Sequence, residues 1–94
     1  MSTPTRLDIR HLTNHAHRAI TKRLMYSAPE AVRAVERDGD AVIIRVNSGG
    51  NALAVESYLN MRGYRAEDGG SNPDRYGGSV RVTLRKGASD GADA

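Results

Sequence analysis

Ala41-Val42-Ile43-Ile44-Arg45-Val46 is the stretch that decides the fold. It is β-branched and almost wholly apolar, and it lies between two polar segments, Asp38-Gly39-Asp40 and Asn47-Ser48-Gly49-Gly50. Such a run reads as a central strand, buried on at least one face. The segment after it, Asn51 to Arg62, carries Ala52, Val55 and Leu59 at helical spacing and ends at Gly63, so a helix is expected from Ala52 to Arg62 with Asn51 as its cap. Tyr64 to Glu67 predicts a short strand. Ser79 to Arg85 predicts a half-buried one, with Val80, Val82 and Leu84 on one side and Arg81, Thr83 and Arg85 on the other. Between these strands Asp68–Gly78 is polar and rich in Gly, which predicts a long mobile loop.

Toward the N-terminus, Leu12, Ala16, Ala19, Ile20 and Leu24 recur at three and four residues and predict a helix from Thr13 to Tyr26, capped by Thr13 or Asn14. Thr5 to Ile9 fits either a short strand or a helix lead-in. Ser27-Ala28-Pro29-Glu30 has the form of a capping box with Pro in the first turn, so a second helix carrying Ala31, Val32 and Val35 is expected before Asp38. The predicted architecture is α+β: a small two-layer sandwich, with helices on one face of a mixed three- to four-stranded sheet. Residues 1–86 are expected to form one domain and residues 87–94 a disordered polar tail. No internal repeat is evident.

Composition narrows function more by exclusion than by signature. The chain has 94 residues, no Cys, no Trp and no Phe. Disulfides, thiolate nucleophiles and thiolate metal sites are therefore excluded. No stretch resembles a secretory signal or a membrane span, which predicts a cytoplasmic protein. The twelve Arg against two Lys, with abundant Ala and Gly, fit a GC-rich coding sequence. A net charge of +3 is mild, but its distribution is uneven: Ile9 to Pro29 contains no acidic residue, yet holds Arg10, Arg18, Lys22, Arg23 and all three histidines.

The C-terminal half resembles the TusA/SirA-like sulfur-carrier fold. The resemblance rests on Gly39-Asp40 before a strand, a polar loop and helix, Gly63-Tyr64, and the closing run Val80-Arg81-Val82-Thr83-Leu84-Arg85-Lys86; Leu7-Asp8-Ile9-Arg10 is similar to the family's opening strand. That family's Cys-Pro-x-Pro motif is missing, since Thr13-Asn14-His15-Ala16 occupies its place. The resemblance therefore implies architecture and, at most, a cysteine-less accessory role.

Among chemistry-bearing groups, the first helix comes foremost. His11, His15, Arg18 and Lys22 fall in one stripe beside the apolar one, as binding to a phosphate backbone requires, although a plain solvated face has the same look. Arg23 projects into the apolar stripe, where either its stem snorkels or its head meets a carboxylate or a partner. A second group is Arg75 and Tyr76 in the long loop, with Arg81 and Arg85 on the following strand. Asp8, His11 and His15 have the spacing of a metal site only if the helix starts early enough, and no metal or cofactor is expected. Asn47 to Asn51 offers backbone N–H groups but lacks the P-loop pattern. With no nucleophile–base set in view, the expectation is a non-catalytic module that binds nucleic acid or another polyanion through Arg10, His15, Arg18, Lys22 and Arg23, with Arg75, Tyr76, Arg81 and Arg85 as further contacts. The competing expectation is a small adaptor or inhibitor of a nucleic-acid-binding protein complex, such as a phage-encoded antagonist of a bacterial defence system. The small core, free of Phe and Trp, leaves a homodimer open, through a strand edge or the first helix.

Overall fold

A computed structural model describes residues 4–85. Two helices cover one face of a four-stranded antiparallel sheet, giving the expected two-layer α+β arrangement. The elements are α1 (Ile9–Leu24), a single 3-10 turn (Pro29–Ala31), β1 (Val32–Asp38), β2 (Ala41–Val46), α2 (Gly49–Met61), β3 (Tyr64–Gly70) and β4 (Gly78–Leu84). The strands lie in the order β1-β2-β4-β3, all neighbours antiparallel, so the sheet is not mixed. The order helix–strand–strand occurs twice. Its two copies are related, topologically, by a twofold between β2 and β4, a repetition that leaves no trace in the sequence.

Alternation along β2 and β4 builds the core. Val42, Ile44 and Val46 on β2 and Val80 and Val82 on β4 are fully buried beneath the helices. Leu12, Ala16 and Ile20 of α1 and Val55 and Leu59 of α2 pack on them. Truncating Ile44 to Ala would leave a cavity at the centre of this layer and cost about 2–5 kcal/mol.

The segment expected to be a second helix is β1. Its capping-box pattern closes only one 3-10 turn, after which the chain pairs with β2. The misleading signal was the three-residue spacing of Val32 and Val35. In the structure a register shift between Val32 and Ala34 inserts one extra residue, so Val32 opposite Val46 and Val35 opposite Ile44 share the buried face despite odd spacing. Gly39-Asp40 then form a two-residue hairpin turn, with Gly39 at φ 62.

Other boundaries also move. Residues 5–8 are not a strand. Asp8 caps α1 by accepting from the His11 backbone N–H at 3.2 Å, so Thr13 and Asn14 lie inside the helix, and Leu7 to Arg10 do not supply the opening strand of the sulfur-carrier resemblance. Met25 ends α1 in the left-handed region at φ 69. Ser48, not Asn51, caps α2, its hydroxyl accepting from the Asn51 N–H at 3.1 Å. The predicted tail, residues 87–94, lies outside the described residues.

The long loop shrinks to residues 71–77 because β3 runs on to Gly70. It is tethered. Asn72 is buried and its amide donates to the Val46 and Tyr76 carbonyls, while Arg33 grips Asp74 with both guanidinium nitrogens, at 3.2 and 2.7 Å. Gly77, at φ 81, passes so close to Val46 and Asn47 that a Cβ would overlap the Val46 carbonyl oxygen.

Gly77→Ala is expected to lower unfolding free energy by about 1–3 kcal/mol, because it adds both overlap and a left-handed strain. Gly49→Ala, inside the first turn of α2 with nothing within 4 Å of its new Cβ, is expected to raise it by about 0.5–1 kcal/mol. Urea denaturation of the two variants beside the parent measures both.

Candidate nucleic-acid interface

Helical geometry sets which side chains α1 shows to solvent. Once Leu12, Ala16, Ala19 and Ile20 are turned inward, His11, Asn14, Arg18 and Lys22 form the outer stripe, with Arg18 and Lys22 exposed. The two helices run antiparallel: Arg23 at the end of α1 meets Asn51 at the start of α2, and His15 meets Tyr58 near its end. This brings Arg62 to the same side as His15 and Arg18, with its guanidinium 4.6 Å from the Tyr58 ring centroid and donating to the Tyr58 hydroxyl at 2.7 Å. Arg62 was not among the expected site residues. Its only sequence signal is the four-residue spacing from Tyr58.

His15 is not a cation of this stripe. Its ring lies between Tyr58 and Tyr64, with centroids 5.7 and 6.1 Å away, and its Nδ1 is buried without a hydrogen-bond partner. Burial, followed by the nearby positive charges of Arg62, Arg18 and His11, pushes its pKa below 6.5. The imidazole therefore packs as a neutral ring.

Arg23 has a structural partner. Its guanidinium donates to the Asn51 side-chain oxygen at 2.9 Å and lies against Gly50, where a Cβ would overlap it. Asn51 in turn donates to the Asn47 side chain at 2.8 Å, so a buried amide links the helix pair to the β2–α2 turn. Arg10 stands apart from Arg18 and Lys22, in a shallow depression with Arg6, Asp8 and Arg37.

The second expected group does not join the first. Arg81 points from β4 to the open side of the sheet, opposite the helices, and pairs with Asp38 at 3.2 Å. Arg85 donates to the Asn60 and Tyr64 carbonyls at 3.2 and 3.4 Å, close to the C-terminal end of α2. Tyr76 is exposed, and Arg33 lies 5.4 Å from its ring centroid. Arg75 adopts φ 61 in the loop and its backbone N–H donates to the Asn72 carbonyl at 2.8 Å. These residues form a loop clasp and a sheet ladder rather than an extension of the α1 stripe. The clasp is electrostatically tight: the Arg33 guanidinium and the Tyr76 backbone N–H hold the Asp74 carboxyl at about 2.

The protein matches no family model, no curated protein and no solved structure. Its function must be read from its own charges. On the open sheet face Arg45, Arg65 and Arg81 stand among Glu36, Asp38 and Glu67, three against three; Arg45 pairs with Glu36 at 3.1 Å, and Arg65 and Glu67 are neighbours on one side of β3. The helix layer differs. Arg10, Arg18, Lys22, Arg23 and Arg62 take part in none of the ion pairs among the described residues, and Glu56 is the one acidic residue within α1 and α2. Nor is a metal site assembled there: among the described residues no three His, Asp or Glu side chains group as ligands, and the Asp8 carboxylate is engaged as the helix cap.

The depressed His15 pKa fixes a pH dependence. Above 6.5 the imidazole is neutral in both folded and unfolded chains and adds nothing to the slope. As pH falls through 6.5 the unfolded chain takes up the proton first, so stability declines toward acid. Urea midpoints at pH 7.5 and 5.5 should therefore differ in the parent, and His15→Leu should reduce that difference.

Proposed function

We propose that the protein is a binding module that holds nucleic acid by its phosphate backbone, with the helix layer as the contact surface. Arg18 and Lys22 form the centre, and Arg23 and Arg62 flank them. Arg10 lies at one end. The observation that carries this reading is the unequal pairing of charge. Cations on the open sheet face are balanced by carboxylates, whereas those on the helix layer lack them. A surface with unpaired Arg and Lys on one helix attracts polyanions and releases their counterions on contact.

The chemistry favours phosphate contact over base reading. Tyr58, the aromatic at the centre of the layer, already stands between Arg62 and the His15 ring, 4.6 and 5.7 Å from its centroid. Arg75, Tyr76, Arg81 and Arg85 fall outside the proposed surface, because they lie on the loop, the open sheet face and the end of α2 rather than on the α1 stripe.

Fluorescence anisotropy with labelled duplex and single-stranded oligonucleotides, at about 50 and about 200 mM salt, tests the proposal. Affinity is expected to fall more than about tenfold between these conditions. Arg18→Ala and Lys22→Ala should each weaken binding across sequences and flatten the salt slope by about one unit. Arg65→Ala, on the open sheet face, should leave both unchanged. Absence of binding at the lower salt, or equal losses for Arg65→Ala and Arg18→Ala, would refute it.

A further inference from the structure

The outward face of α2 carries apolar side chains that phosphate binding leaves unused. Most surface helices put apolar residues inward and charges outward. α2 does not. Ala52, Val55 and Leu59 pack inward, yet Leu53 and Met61 on the outer side are 67% and 79% exposed. Leu53, Ser57 and Met61 follow at four-residue steps and so form one ridge. Beside the ridge a groove runs between the helices, lined by Ala19, Ala54, Ser57, Tyr58 and Met61 together with the cations Lys22 and Arg23.

We infer that this ridge and groove dock an acidic amphipathic helix from a protein partner. The apolar seam of such a helix would cover Leu53 and Met61 and enter the small-residue groove, where Ala and Ser allow close approach. Its acidic flank would meet Lys22 and Arg23, the cations that border the groove and lack carboxylate partners. Charge complementarity selects this occupant. A second copy of the same face would bring the rim cations of two chains together at a groove that neither chain lines with a carboxylate, since Glu56 and Asp68 lie on the other side of the ridge, beside Leu53. The inference goes beyond the nucleic-acid reading and does not depend on it, since Leu53 and Met61 carry no charge.

The test uses a synthetic 16-residue helical peptide with a Leu seam and Glu on its flanks, and a twin with every Glu replaced by Lys. Calorimetric titration into the whole chain should show the Glu peptide binding at least ten times more tightly than the Lys peptide. The double variant Leu53→Gln/Met61→Gln, checked for an unchanged melting curve, should lose at least tenfold in affinity for the Glu peptide while its binding to a duplex oligonucleotide stays the same. Failure to bind the Glu peptide, or equal binding of the two peptides, overturns the inference even where nucleic acid binds. A parallel loss of duplex affinity in the double variant would assign the ridge to nucleic acid, and a concentration-dependent dimer abolished by that variant would assign it to a second copy; either result overturns the inference. Loss of nucleic-acid binding with peptide binding intact would refute only the function proposed above.

Discussion

Everything in this molecule depends on covering one face of β2 and β4. Val42, Ile44, Val46, Val80 and Val82 present a continuous β-branched surface, and α1 and α2 remove it from water. With no Phe or Trp available, the seal is made by Leu, Ile, Val and Ala side chains together with Tyr64. Once the inner faces of both helices are committed to this contact, the charges of α1 have only the outer surface to occupy. On the opposite face of the sheet the 71–77 loop lies beside Arg45 and Glu36, and the rest of the described surface there is a ladder of alternating charges. The two layers thus acquire different electrostatic characters from one packing requirement.

The sequence made some of this legible. β2, β4 and both helices show in their periodicity, because burial on one face imposes a repeat of two or of about three and a half. β1 does not, because its bulge turns a strand repeat into the spacing of a helix at Val32 and Val35. The start of α1 was misplaced for a different reason: Asp8 caps it within a segment, Leu7 to Ile9, whose apolar residues also alternate like a strand. The Arg33–Asp74 contact that helps hold the Gly-rich loop is equally hidden from a local reading, since its partners lie 41 positions apart.

The candidate site was legible by residue type more than by arrangement. The outer stripe of α1 follows from helical spacing alone, so Arg18 and Lys22 are where the sequence puts them. The fate of Arg81 and Arg85 depends on partners across the sheet and at the end of α2, and those of His15 and Arg23 on the facing helix. None of these is local information. Strand-edge association is also shaped by contacts that the sequence hides. Asn60 binds both backbone groups of Ala66 on the outer edge of β3, at 2.9 and 3.0 Å, and β1 is irregular and charged, so both edges of the sheet are blunted.

The central claim is that charge is divided between the layers, balanced by carboxylates on the open sheet face and not on the helices. The most direct measurement is residue-resolved: amide chemical shifts of the isotope-labelled protein during titration with a short duplex at low salt. The account predicts that the largest shifts fall in α1, from Arg10 to Arg23, and around Arg62, with β1, β2 and the open side of β4 unmoved. Shifts centred on Arg45, Arg65 and Arg81, or spread evenly over both layers, would contradict it.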